Sequence, residues 1–349
     1  MKYWSVKNNQ PQETIDFRAL GLTEWEYRVL LNRGLDTKNA IEEYIHPSME
    51  HIASPITMKD MVKAGNILQS VKGKVRIVGD YDCDGTMSTT ILLKGLKGLG
   101  YDVDYDIPHR RKDGYGMQVE MADEAAKDGV ELIITCDNGI AQFDAIRRCK
   151  ELGIKVIVID HHQVVKKDGE EILPEADAII NPHQEQCRYP FKELCGGALS
   201  YYFINYLYTI SGKIEELDLD LIGFAAIATI CDVMILKGEN RNLTIAGLER
   251  LNRTDHIGFN ALREAASIRG DVAGYHIGFI IGPTINAAGR LETAKDAVEL
   301  FLTDDESFAQ KTAIYLRDLN AKRQALTIEG TKRLEAQLQS PKEREQLLY

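Results

Sequence analysis

The sequence predicts an α/β protein: a parallel sheet covered by helices on both faces, followed by a helical region and a long connecting helix. Three observations carry this expectation. Between Lys74 and Ile180, short β-branched runs alternate with helix-length stretches. From Cys195 the strand pattern stops and apolar helical runs take over. Acids follow directly on several of the β-branched runs, at the carboxyl ends of strands, where open α/β sheets place their ligands.

Residues 1–55 read as a small N-terminal helical region. A helix is expected over Glu24–Arg33, capped by Thr23, and a second over Thr37–Ile45, before Pro47. No chemistry is visible there. A helix over Lys59–Val71 leads into the first strand of a second unit, spanning residues 56–235. Strands are expected at Lys74–Val78, Val103–Ile107, Leu132–Cys136, Lys155–Ile159 and Ala178–Ile180. Helices are expected after Gly85, over Thr86–Leu99, and near Gln118–Asp128 and Ala141–Leu152. Gly196-Gly197 then precedes an apolar helix, Ala198–Ile210, and another follows at Leu219–Cys231. Residues 236–303 hold shorter helical pieces and the Asn-Ala-Ala-Gly-Arg loop, Asn286 to Arg290. Residues 304–349 carry the connecting helix, rich in helix formers.

Composition narrows the function classes. The chain has 349 residues, enough for two or three domains, and 44% hydrophobic residues, ordinary for a soluble protein with a substantial core. No apolar run reaches the roughly 20 residues of a membrane span. Met1 to Asp16 is polar and lacks the apolar segment of a secretory signal, so a cytoplasmic protein with no membrane partner is expected. The six cysteines include no C-x-x-C pair, which argues against a thiolate zinc site and a disulfide framework. Cys83, Cys136 and Cys231 each stand beside an acid, where a small buried residue suits a strand end or a helix. The net charge of −11 counts against a broadly basic nucleic-acid-binding surface. It leaves room for a metal-dependent nuclease, whose own site is acidic and whose basic groove is local.

The chemistry gathers at strand ends. Asp80, Asp82 and Asp84 alternate after Gly79; Asp137-Asn138-Gly139 follows the third strand, and Asp160-His161-His162 the fourth. In a parallel sheet these ends share one edge. Asp232 closes the apolar helix Leu219–Cys231, flanked by Cys231 and Val233, where burial is costly unless the acid is paired or ligated. Carboxylates packed this closely repel one another unless protons or cations intervene. Such oxygens with one or two imidazoles suit Mn²⁺ or Mg²⁺ better than a structural zinc. Two divalent ions about 3.5–4 Å apart, bridged by a carboxylate, fit this many acids. Such a pair lowers the pKa of water and steadies in-line attack on phosphorus.

Asp80-Tyr81-Asp82-Cys83-Asp84-Gly85, Asp137-Asn138-Gly139, Asp160-His161-His162 and Asp232 resemble, in order and spacing, the four signature motifs of the DHH phosphoesterase superfamily. More narrowly, the chain resembles the RecJ-type single-strand-specific 5′-to-3′ exonucleases. Three further stretches carry that resemblance: Ile107-Pro108-His109-Arg110 with Gly114-Tyr115-Gly116, Asn181-Pro182-His183 with Tyr189-Pro190-Phe191, and Gly282 to Arg290. It covers the chain from about Val6 to the final helix.

The resemblance implies roles position by position. Asp82 and Asp84 would each bind one metal ion, and Asp137 would bridge both. His161 would join the ion of Asp84, and Asp232 that of Asp82. Asp160 would orient its neighbours, and His162 would stand near the scissile phosphate as donor or electrostatic stabiliser. Many family members place a histidine ligand four positions before Asp82; here it is Val78, so either Asp80 or a water fills that place. Arg110 and Arg290 resemble residues that hold a terminal 5′-phosphate, which suits the planar fork of arginine, with Asn286 and Gly289 shaping the loop. Tyr115 offers a ring for base stacking, or the Gly-Tyr-Gly stretch is a plain turn.

The activity implied is release of 5′-mononucleotides from single-stranded DNA, in DNA repair and recombination. The partners implied are single-stranded DNA and replication or repair proteins, such as a single-strand-binding protein or a helicase. Relatives continue into a further domain with a glycine-rich motif, absent here, so a truncated chain with weakened DNA binding is expected. Two rivals remain. One is a DHH phosphodiesterase acting on short oligoribonucleotides or cyclic dinucleotides. The other is a replication-associated scaffold without catalysis, which typically lacks ligands that this chain retains.

Overall fold

Five parallel strands form the centre of the computed structural model, which describes residues 7–337. The outermost parts of the expected N-terminal region and connecting helix, residues 1–6 and 338–349, lie outside the described residues. In chain order the strands are β1 (Lys74–Val78), β2 (Val103–Asp106), β3 (Val130–Cys136), β4 (Lys155–Ile159), a β5–β6 hairpin (Val165–Lys167, Glu170–Ile172) and β7 (Ala178–Ile180). The sheet order is β2-β1-β3-β4-β7. The chain winds one way from β1 to β2 and the other way through β3 and β4. The strand order therefore reverses between β1 and β3, which opens a crevice at their carboxyl ends.

The helices are α1 (Glu24–Asn32), α2 (Lys38–Ile45), α3 (Met61–Ser70), α4 (Cys83–Gly98), α5 (Val119–Lys127), α6 (Phe143–Glu151), α7 (Gly196–Ile210), α8 (Asp220–Cys231), α9 (Gly238–Leu251), α10 (Ile257–Ala265), the single turn α11 (Gly274–His276), α12 (Gly282–Leu291), α13 (Lys295–Leu302) and α14 (Glu306–Gln337). A π-helical turn, Ile277–Ile281, joins α11 to α12.

Strand periodicity divides the core. In β4, Ile157 and Ile159 face the side packed by α4, α7 and α8, while Val156 and Val158 face α5 and α6. The first side belongs to one hydrophobic cluster that runs from Met58 to Leu319. The second is a smaller cluster closed by Met121, Ala125, Ile146 and Cys149. Ile15, Leu30 and Ile41 form a separate small core under α1 and α2. The capping box of Thr23 and Glu26 starts α1 as the sequence indicates.

Two local features depart from expectation. The helix after β1 begins at Cys83, not after Gly85, because Asp82 serves as its N-cap and accepts from the Gly85 N–H at 3.0 Å. The β5–β6 hairpin was not expected, although Asp168-Gly169 at its tip is a sequence signal for a two-residue turn. Both residues have positive φ, 55° and 88°. All six cysteines are free, and none of the described helices is long and apolar enough to cross a membrane.

Candidate metal centre

The expected ligands arrive at the crevice on several separate elements. Asp80 and Asp82 follow β1, Asp137 follows β3, Asp160-His161-His162 follows β4, and Asp232 ends α8. Asp84 lies in the first turn of α4, where the N–H groups of Gly196 and Gly197 reach its two oxygens at 2.8 and 2.7 Å. These donors are the exposed amides that begin any helix, here α7. Glycine is required for the approach: a Cβ on Gly196 would stand 2.8 Å from the Asp137 Cβ, and one on Gly197 2.4 Å from the Ala228 Cβ. The sequence marked this pair as a helix start, but its role at Asp84 depends on a contact across more than 100 positions.

The imidazole of His161 is the meeting point. Its Nε2 lies 3.1 Å from an oxygen of Asp137, 3.5 Å from Asp84 and 3.6 Å from Asp232. One ring nitrogen can satisfy only one of three carboxylates. Two overlapping groups have ligand atoms within 4.8 Å of one another and share this region: Asp84, His161 and Asp232; and Asp137, His161 and His162. A third group is Asp80, Asp82 and Asp137. The structure thus places Asp232 with Asp84 and His161, whereas the resemblance set it beside Asp82.

Electrostatics mark the same spot. Burial, then the charge of Asp82, pushes the Asp80 carboxyl up to about 7, and its Oδ1 is buried without a hydrogen-bond partner. Burial, then Asp84, pushes Asp232 up to about 7 as well. Asp82 and Asp137 are raised for the same reasons, burial first and neighbouring carboxylates second. Asp160 differs. Burial would raise it, but hydrogen bonds from His162 and the Ile140 N–H hold it below the usual carboxylate range. Its Oδ1 also accepts from the backbone of His161 and His162. Asp160 therefore aims the two histidines, and its bond to Nδ1 pushes His162 up to about 8.

The backbone is strained at two of these positions. Asp137 has φ 59° and Val233, next to Asp232, has φ 57°. A β-branched residue in the left-handed region is rare, and such strain concentrates at functional sites. Asn138 supports the first turn: its Nδ2 donates to the carbonyls of Val78 and Cys136, tying β1 to β3. The Tyr115 hydroxyl donates to the Asp137 carbonyl at 2.8 Å and sits 3.3 Å from the His162 ring nitrogens. The sequence suggested only its ring.

The expected loop around Arg290 is instead a helix, since Asn286 to Arg290 lie within α12. The carboxamide oxygen of Asn286 accepts the Cys83 N–H at 2.8 Å and so caps α4, which leaves the amide nitrogen as the atom that can donate to a phosphate. Gly289 lets α12 lie flush on the Tyr81 carbonyl, which a Cβ would meet at 2.1 Å. This packing brings Arg290 beside Tyr81. Arg110 stacks on the same ring from the other side of the sequence, its Cζ 4.8 Å from the ring centroid. Both cations act on the Tyr81 phenol. Arg110 thus covers the Tyr81 ring, and the charge of Arg290, from a distant stretch, reaches the same phenol.

Comparison with known proteins gives a consistent picture. The model of the DHH family, N-terminal domain, matches residues 74–229. The single-stranded-DNA-specific exonuclease RecJ of Bacillus subtilis is 36% identical over 318 residues, 89% of this chain and 39% of that protein. RecJ of Haemophilus influenzae is 37% identical over 305 residues, 83% of this chain and 51% of that protein. The chain therefore spans about two-fifths to one half of the length of these relatives. A crystal structure of exonuclease RecJ bound to manganese superposes with a TM-score of 0.72 at 34% identity, covering 80% of this chain and 70% of that one. RecJ of Thermus thermophilus in complex with Mg²⁺ superposes with a TM-score of 0.65 at 28% identity, covering 89% of this chain and 41% of that one.

Proposed function

Because this chain belongs to the DHH family, within its RecJ branch, we propose that it is a metal-dependent phosphodiester hydrolase that degrades single-stranded DNA from the 5′ end. The observation that carries this reading is the convergence of Asp84, Asp137 and Asp232 on the single Nε2 of His161, with Asp80 and Asp82 beside them. So many carboxylates with no lysine or arginine among them are tolerable only if protonated or bound to cations. The donor set fits two divalent ions with hard oxygen ligands, Mn²⁺ or Mg²⁺. Asp80, Asp82 and Asp137 would hold one; Asp84, His161 and again Asp137 the other. Asp232, which feels both Asp84 and Asp82, completes the set. The unpartnered Oδ1 of Asp80 favours that residue in the place left by Val78.

Ions held there would lower the pKa of an attacking water and neutralise charge on the phosphoryl oxygens. The remaining work falls to the chain. Protonated His162, held by Asp160 and facing the Tyr115 hydroxyl, donates toward the scissile phosphate. Arg110, over the Tyr81 ring, and Arg290, whose charge reaches the same phenol, suit a terminal 5′-phosphate, to which each can give two parallel hydrogen bonds. Measuring from that phosphate to the acids would fix removal at one nucleotide per cut. The same proposal extends to a role in repair and recombination, in the cytoplasm, alongside a single-strand-binding protein or a helicase.

The test is hydrolysis, with Mn²⁺, of a 5′-phosphorylated single strand and of a dinucleotide side by side. Sequential release of 5′-mononucleotides from the long strand is the expected result. Cleavage of the dinucleotide alone would keep the chemistry and reassign the substrate.

A further inference from the structure

The chain is acidic overall, yet one cavity of about 560 Å³ has no acid in its lining. It lies where the N-terminal region meets the start of α9, between Arg33 at the end of α1 and the segment Ile235-Leu236-Lys237. Lys7, Arg33 and Lys237 line it, and none of the three forms an ion pair among the described residues. We propose that this cavity is a second nucleic-acid contact, which holds the phosphodiester backbone of the single strand away from the scissile bond. The proposal rests on the single-strand reading above.

Three arguments support it. The cations are fixed in place. Lys7 and Lys237 each give one hydrogen bond, at 3.0 Å, to the carbonyls of Asn32 and Arg33 at the end of α1. An ammonium has three donors, so two remain on each, on side chains already ordered. Arg33 gives only a long 3.4 Å contact to the Tyr44 hydroxyl, leaving most of its fork open.

The cavity also lies within reach of the candidate metal centre. Lys237 lies five positions after Asp232, and an extended chain of that length spans at most about 18 Å. That separation suits a strand that occupies both sites at once. Along the connecting segment, Val233, Ile235 and Leu236 expose apolar side chains, a surface for base faces rather than for phosphates. Tyr44 completes the wall, its ring stacked by Arg241 at 3.8 Å and so held rigid. Alternation of cationic and apolar or aromatic groups is the pattern that binds single strands without reading sequence.

The experiment uses the full chain and a fluorescent oligothymidylate, with EDTA present so that the strand stays intact. Anisotropy is measured across a salt series for the parent and for K7Q, R33Q, K237Q and the triple variant. Removing one phosphate-binding cation from a single-strand interface flattens the log–log salt slope by about 0.7, so the triple variant should be shallower by about 2. At low salt its affinity should fall roughly tenfold or more. Mn²⁺-dependent hydrolysis of a dinucleotide, which reaches only the acids, should be unchanged.

An unaltered slope and affinity in the triple variant would overturn the proposal. If its melting temperature also fell, the lysines would be assigned to capping α1 alone. R33Q guards against a folding artefact, because the Arg33 side chain does not hold the α1 carbonyls. Weakened binding in the variants with cleavage of the dinucleotide only would support the cavity and sink the exonuclease reading. A parent chain that binds no strand would sink both.

Discussion

β1 begins among paired charges and ends among unpaired ones. Arg76, on the strand, gives a two-pronged bond to Asp104 at 2.8 and 2.7 Å and a third to Asp128 at 2.8 Å. Lys74 joins Asp104 at 2.7 Å. There, burial would raise Asp104, but the two cations hold its carboxyl below the usual range. A few residues further along the same chain, Asp80 and Asp82 are raised by burial and by neighbouring carboxylates, with no lysine or arginine paired to them. The first arrangement closes its own charge balance and stabilises the fold. The second leaves a balance that only protons or external cations can close, which is why it reads as a site.

Removing one acid from the unpaired end tests that contrast most strongly. Asp137→Asn tolerates the left-handed backbone and should keep the fold. Loss of the shared ligand should cost several kcal/mol of transition-state stabilisation, a fall in turnover of at least about 10³-fold. Without metal, the same variant should melt higher than the parent, because a buried repulsion is gone. Near-normal turnover, or a lower melting point, would remove Asp137 from the centre of the cluster.

The paired end should respond the other way. Arg76→Ala leaves Asp104 and Asp128 without their partner and should destabilise the chain by about 2–4 kcal/mol in urea unfolding. Turnover per folded molecule should be preserved. A large catalytic defect in fully folded protein would show that the two ends are coupled.

The third test is a pH series without metal. The folded-state value of Asp80 is about 7, above its ordinary 3.8, so between those values the folded chain binds more protons than the unfolded one. Stability is then fully present below about pH 4 and is lost as pH rises through 7, by up to about 4 kcal/mol for this group. Melting temperature should therefore drop between pH 5 and 8, and Mn²⁺ at pH 8 should restore it. A metal-free chain whose stability does not depend on pH in that window would place the acids in water rather than in a closed cluster.

Much of this arrangement was legible in the sequence. β1, β4 and β7 have the expected bounds, because β-branched runs bounded by glycine and acids leave few alternatives. The acids after β1, β3 and β4 could be placed on one edge from topology alone, since parallel strands share their carboxyl ends. The hairpin at Asp168-Gly169 was also readable, but its strands are only three residues long and none of their residues is buried, with no apolar alternation to announce them.

The sequence by itself thus determined the strands, the edge on which the acids collect and the class of metal they suit, because these depend on local periodicity and side-chain chemistry. Tertiary structure alone decided what the acids face. Gly196 and Gly197 reach Asp84 across 112 and 113 positions, and Asn286 reaches the Cys83 N–H across 203. It also set α12, where a loop was expected at Arg290, against the Tyr81 carbonyl, an approach that a side chain at Gly289 would block. A contact of that kind depends on two surfaces meeting at short range, and no property of either stretch alone encodes its partner.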